Sequence, residues 1–112
     1  FASRFNYEVW IFTKQHKKTM QELEEKELSD IAFVLKKILS KIKKINASYN
    51  FFIHYSPEKE KLNASLRAFS QAGLHFHIEI TPRIATWGGF EISTNAVINS
   101  VLPEDAARFY RR

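Results

Sequence analysis

The chain contains no cysteine. Disulfides are therefore impossible, thiolate metal sites are excluded, and any metal held here must be held by histidine, carboxylate or water. Proline and glycine are scarce, three of each in 112 residues, which leaves few obvious break points: Pro57, Pro82, Pro103, Gly73 and the Gly88-Gly89 pair. No apolar run approaches the ~18–20 residues a membrane-spanning helix needs, and residue 1 does not open a charged-then-apolar signal sequence. A soluble, cytoplasmic protein is the expectation. There is no internal repeat and no low-complexity segment. The sequence also lacks an initiator methionine, which suggests a piece of something longer.

What is present suits one folded domain spanning residues 1–112. Hydrophobic residues make up 45%, and ten of them are Phe, a globular rather than a disordered composition. The formal net charge is +5, with a pI near 9.6. A basic surface can attract nucleic acid, acidic lipid or a phosphorylated small molecule. Much of the excess is local: Lys36, Lys37, Lys41, Lys43 and Lys44 fall in one segment, preceded by Glu22, Glu24, Glu25, Glu27 and Asp30. Anions near the start of a helix and cations near its end suit the helix dipole, so this lysine run reads first as the solvated side of a helix.

From about Glu27 to Ile45, Leu28, Ile31, Leu35, Ile38, Ile42 and Ile45 recur at three- and four-residue spacing, the mark of an amphipathic helix. Tyr7 to Phe12 is aromatic and β-branched and predicts a strand. Thr13 to Lys18 predicts a turn that carries His16 among cations. Asn46 to Asn50 supplies turn chemistry before a second strand at Phe51 to Ser56, which Pro57 ends. A polar connection from Glu58 to Gly73 follows, with a helical turn expected around Leu66 to Phe69. Leu74 to Thr81 predicts a third strand, closed by Pro82 because proline cannot donate to a ladder. Thr86 to Glu91 predicts a glycine-hinged turn, Phe90 to Ile98 a weakly patterned strand, and Pro103 onward a short helix with acids in its first turn. The expected fold is α+β: a mostly antiparallel sheet with one long helix packed on a face and a short terminal helix.

Chemistry concentrates at Leu74 to Arg83. His75, His77 and Glu79 alternate with Leu74, Phe76, Ile78 and Ile80, so one strand face is apolar and the other can bind or react. Same-face neighbours lie ~6.5–7 Å apart, close enough for two imidazoles to aim at a common point. His54 lies mid-strand in the preceding strand. If the two strands pair, three imidazoles can share one face and hold Zn²⁺, or Fe²⁺ with further ligands. Glu79 could then be a fourth ligand, an acceptor that orients an imidazole, or a substrate contact. The competing chemistry is covalent. A neutral His77 could attack phosphorus and carry a nucleotidyl group, with His75 beside it and Arg83 and the Gly88-Gly89 backbone as the nearby phosphate donors.

Several motifs together resemble one family. His75-Phe76-His77, then Glu79-Ile80-Thr81-Pro82-Arg83, Gly88-Gly89-Phe90-Glu91 and Pro103-Glu104-Asp105-Ala106-Ala107-Arg108 are similar to the carboxy-terminal half of the galactose-1-phosphate uridylyltransferases, in the histidine-triad-like superfamily. Phe1 to Glu8 resembles the opening of that half, with Asn6 where a proline commonly stands. His16 matches the histidine after its first strand, and Tyr49 to Pro57 its aromatic strand ending in His and Pro. The resemblance covers nearly the whole chain.

It implies a nucleotidyltransferase of galactose metabolism that moves a uridylyl group between UDP-hexose and hexose 1-phosphate through a covalent histidine. The nucleophile's His-Pro-His-Gln motif belongs to the amino-terminal half of that enzyme, so this chain alone should be inactive. In the family this half supplies three metal-binding histidines, matching His54, His75 and His77, and the other half completes the site with a carboxylate. Phe90 and Glu91, with Gly88 and Gly89, match the sugar-contacting turn, which family homodimers place at the other subunit's active site. The family's tyrosine is Phe90 here, one hydroxyl fewer. Glu79 stands where better-studied members often carry an aromatic, which places the chain with a divergent microbial branch whose nucleotide preference is open. Two rivals are a stand-alone histidine-triad-type hydrolase or transferase with His77 as nucleophile, and a basic module binding single-stranded nucleic acid through the Lys36 to Lys44 helix. Against the second, the lysines share no strand face with Phe or Tyr.

Overall fold

A computed structural model of the chain describes residues 3–55 and 75–112. The expected helical turn at Leu66 to Phe69, and the strand ends placed at Ser56, Pro57 and Leu74, lie outside the described residues. The order of elements is β1 (Val9–Phe12), a 3₁₀ turn (Met20–Glu22), α1 (Glu25–Lys44), β2 (Ser48–His54), β3 (His77–Arg83), α2 (Gly89–Thr94) and α3 (Pro103–Arg111).

The strands form one antiparallel sheet in the order β1-β3-β2. The architecture is α+β, as the sequence predicts, with three strands among the described residues where the sequence suggests four. Residues 90–98 do not extend as a strand. Gly89–Thr94 is a helical turn instead, because the Glu91 carboxylate folds back onto the Gly88 N–H at 3.0 Å and satisfies an amide at the helix start. Asn95 closes α2 in the left-handed region at φ 56°, a conformation asparagine tolerates better than most residues.

Register follows the hydrophobic pattern. Ile11 pairs with Ile78 and Val9 with Ile80, so the buried sides of β1 and β3 coincide, and α1 covers them. Ile38 and Ile42 of α1 join Ile11, Leu23, Phe76, Ile78 and Ile80 in a single cluster. Phe76 and Ile80 are fully enclosed, and each such side chain contributes roughly 1.5–3 kcal/mol relative to exposure. α1 starts at Glu24, whose N–H is accepted by the Glu27 carboxylate at 2.9 Å, and ends in Lys41, Lys43 and Lys44. Both ends suit the dipole.

β3 does not stop at Pro82. It runs to Arg83, with Pro82 opposite Tyr49 of β2. The last pair with β1 is Val9 with Ile80, so by Pro82 one side of the strand is already an edge, where a missing N–H is tolerated. The carboxy-terminal segment is tied back to the start of the chain. Asn6 exchanges hydrogen bonds with Ser100, Asn99 donates to the Ser3 and Phe5 carbonyls, and the Tyr110 hydroxyl donates to the Tyr7 carbonyl at 2.7 Å. Among the described residues no helix is long and apolar enough to cross a membrane.

Candidate metal and substrate site

Cross-strand pairing decides which side chains meet. His54 lies opposite His77, Phe52 opposite Glu79, Phe12 opposite His77 and Trp10 opposite Glu79. Directly opposed residues share a face, so these six side chains occupy the sheet face turned away from α1. The His54 and His77 rings stack at 4.5 Å between centroids and 9° between planes. Trp10 and Phe12 stack against His77 at 5.1 Å and 5.0 Å. These two aromatics are the site residues that the sequence pattern left unassigned. The strict alternation of β1 was the available signal, once its pairing with β3 was known.

His54, His77 and Glu79 each present a ligand atom within 4.8 Å of the others. The His54 Nε2 stands 3.4 Å from a Glu79 carboxylate oxygen, and the Glu79 side chain is only 15% exposed against 49% for His54. The His77 Nδ1 lies 3.0 Å from the His75 carbonyl. A carbonyl can only accept, so Nδ1 carries the hydrogen and Nε2 keeps its lone pair free to bind. The His77 Nε2, a ring nitrogen of His54 and the Glu79 carboxylate are ligand types that fit a divalent ion such as Zn²⁺ or Fe²⁺.

His75 is placed differently. β3 begins at His77, and His75 sits beyond the last β1 pair, beside the turn that follows β1. Its Nε2 lies 3.0 Å from the Thr13 hydroxyl and 3.1 Å from the Gln15 carbonyl, and its ring stands 4.9 Å from that of His16. Thr13 already donates its hydroxyl hydrogen to Gln15 at 2.7 Å. The His75 Nε2 is therefore a donor to both, and it is not within the group formed by His54, His77 and Glu79.

The residues expected to contact sugar lie on α2. Phe90 is 56% exposed, and the Glu91 carboxylate is oriented by the Gly88 N–H. A groove of about 600 Å³ runs from Glu91 and Trp87 past Arg83 to Asn50 and Phe52 on the sheet. It brings an acid, an indole, an amide and a guanidinium to one concavity, chemistry suited to hydroxyls and an anion. Gly89 has open space where a Cβ would stand, so backbone there is approachable from outside.

No protein-family model matches the chain. It is 36% identical over 113 residues to the ADP-glucose phosphorylase of Arabidopsis thaliana, across 99% of its own length and 30% of that protein. It is 32% identical over 120 residues to the galactose-1-phosphate uridylyltransferase of Thermotoga maritima, across 99% of itself and 36% of the relative. The crystal structure of the Arabidopsis ADP-glucose phosphorylase with bound ADP-glucose superposes with a TM-score of 0.78 at 35% identity, over 98% of this chain and 34% of that one. A uridylyltransferase structure superposes at 0.74 with 24% identity, over 97% and 35%, and supports the fold alone. Sheet, helix and histidine-bearing open face define a domain of the histidine-triad-like kind. The chain is homologous over nearly its whole length to these two enzymes and spans about a third of the length of the curated relatives it matches.

Proposed function

We propose that this chain is the carboxy-terminal part of a nucleotidyltransferase that moves a uridylyl group between UDP-hexose and hexose 1-phosphate, supplying metal ligands and sugar contacts to a site whose nucleophile lies in the amino-terminal half. The observation that carries it is 32% identity across 99% of the chain to a protein named galactose-1-phosphate uridylyltransferase. The resemblance implies His54, His75 and His77 as ligands; the open face brings His54 and His77 together and leaves His75 apart, and a Zn²⁺ or Fe²⁺ bound there would fix the sheet end against the other half. Glu91 accepts hydrogen bonds from hexose hydroxyls, and Phe90 packs on the ring. The parent is a cytoplasmic homodimer in which this turn reaches the partner's site.

A second reading, adenylyl rather than uridylyl transfer, is favoured by the 35% identity to a structure holding ADP-glucose. The test is a substrate profile of the full-length parent, offering UDP-glucose with galactose 1-phosphate against ADP-glucose with inorganic phosphate. Turnover of the first pair supports the uridylyl reading, and exclusive turnover of the second replaces it. The 112-residue chain alone is expected to turn over neither; activity from it would instead favour His77 as a nucleophile.

A further inference from the structure

We propose that Asn6 is a positioning residue for substrate: the clasp it closes on Ser100, braced by Asn99, sets where α2 holds Glu91. This rests on the reading of the Gly88 to Glu91 turn as a sugar contact and adds the residue that aims it.

Three observations converge. First, α2 is not held by the core. None of its side chains is buried. Among the described residues all its hydrogen bonds are local, with Gly88 donating to the Glu91 carboxylate, Ser93 and Thr94 to the Phe90 carbonyl, and Ala96 to the Thr94 hydroxyl. These bonds stiffen the turn without fixing where it stands, so its place must come from its connections.

Second, the segment leaving α2 is anchored soon after it. Asn6 grips Ser100 at two points, its amide donating to the Ser100 hydroxyl and its amide oxygen accepting the Ser100 N–H, both at 3.2 Å. Asn6 is only 7% exposed, so little water competes for these contacts. A proline, common at this place in the resembling family, has no side-chain donor or acceptor, so the grip is this chain's own. Beside it the Asn99 amide donates to the Ser3 carbonyl at 2.9 Å, and its oxygen accepts the Val101 N–H at 3.0 Å.

Third, the anchor is itself rigid. The Glu8 carboxylate accepts the Arg4 and Phe5 N–H groups at 2.7 Å and 2.9 Å. Tyr7 is held in the left-handed region at φ 56°, which an aromatic residue adopts only when its surroundings impose it. Phe5, Asn6, Val97 and Ile98 line the same groove as Glu91 and Trp87. The clasp therefore holds one wall of the groove and, through the segment after α2, the acid that faces into it.

The test is steady-state kinetics of the full-length parent with the nucleotide sugar it turns over, UDP-glucose or ADP-glucose. Asn6→Ala, Asn6→Asp, Glu91→Ala and the double variant Asn6→Ala/Glu91→Ala are compared, each confirmed folded by circular dichroism. Glu91→Ala should raise KM at least about tenfold, the loss expected when a hydrogen bond to a charged group is removed. Asn6→Ala should raise KM about three- to tenfold with kcat nearly unchanged, the mark of weakened binding. Asn6→Asp, whose carboxylate can accept both the hydroxyl and the N–H of Ser100, should keep KM within about twofold of the unsubstituted enzyme. In the double variant, adding Asn6→Ala should change KM less than about twofold, because no acid is left to aim. An Asn6→Ala effect of equal size with and without Glu91, no effect at all, or no recovery in Asn6→Asp overturns the proposal and leaves the sugar contact standing. An unaltered KM in Glu91→Ala overturns the sugar contact and the proposal with it.

Discussion

The two faces of one sheet do opposite work. Toward α1, Ile11, Ile78, Ile80 and Phe76 are sealed, and Phe76 and Ile80 have no exposed surface. On the other face, half a residue repeat away, Trp10 is 49% exposed, Phe12 48% and Phe52 43%, and the same strands carry His54, His77 and Glu79. The difference shows how three short strands can separate stability from chemistry. Period-two alternation places His77 and Glu79 of β3 in the binding face and Ile78 and Ile80 in the core, so the core can hold the backbone still while the histidines remain reachable.

That separation can be broken most strongly from the sealed side. Ile80→Ala should destabilise the fold by about 2–5 kcal/mol, because the cavity lies between sheet and α1 where little can collapse into it. Chemical denaturation would measure this, and a cost below about 1 kcal/mol would mean the interior is looser than its zero exposure indicates. Metal affinity per folded molecule should be unchanged.

Next in size are the ties holding the carboxy-terminal segment. Tyr110→Phe strands the Tyr7 carbonyl and should cost roughly 1–3 kcal/mol. Burial, and secondarily the neighbouring Tyr7, push the Tyr110 hydroxyl well above the ordinary tyrosine range, so folding favours its neutral form. Its contribution is fully present below about pH 10, the ordinary tyrosine value, and is lost as pH rises beyond it. Alkaline unfolding should begin in that window and be shallower in Tyr110→Phe. Equal slopes in the two proteins would show that another group governs alkaline unfolding. Asn6→Ala removes a side chain that is itself 7% exposed and exchanges two hydrogen bonds with Ser100; Ser100 is exposed, so water can replace its lost partner and the cost should be roughly 0.5–1.5 kcal/mol, measured the same way.

Legibility in the sequence followed the same division. The sealed side was readable, because burial imposes a period: α1 expected over Glu27 to Ile45 is found at Glu25–Lys44, and the β3 alternation is matched by the exposure of Phe76, Ile78 and Ile80. What depended on contacts between distant residues was not. Pro82 looked like an end of β3 because only the sheet order shows that β1 has already departed there. The helix at Gly89–Thr94 was signalled locally, by an acid three residues after Gly88, but β-favouring Phe90 and Ile92 outweighed it in the pattern. At the site, His54 and His77 were placed on one face by strand pairing. His75 follows the same alternation, and only its contacts with Thr13 and Gln15, some sixty residues away, distinguish it.

The smallest effect sharpens the comparison from the open side. Trp10 is larger than Ile80, yet half its surface already meets solvent, and what it loses on truncation is mainly its stacking on His77 and Phe12. Trp10→Ala should therefore cost about 0.5–1.5 kcal/mol, less than the smaller buried side chain. Because Trp10 faces Glu79 across the strands, the same variant lets water closer to the carboxylate and should weaken Zn²⁺ binding by several-fold, since the shell around a metal site controls solvent access. Thermal unfolding and metal titration of one variant thus read the two faces separately. A stability loss as large as that of Ile80→Ala would show that the open face also carries the fold, and that the two functions are not divided between the faces.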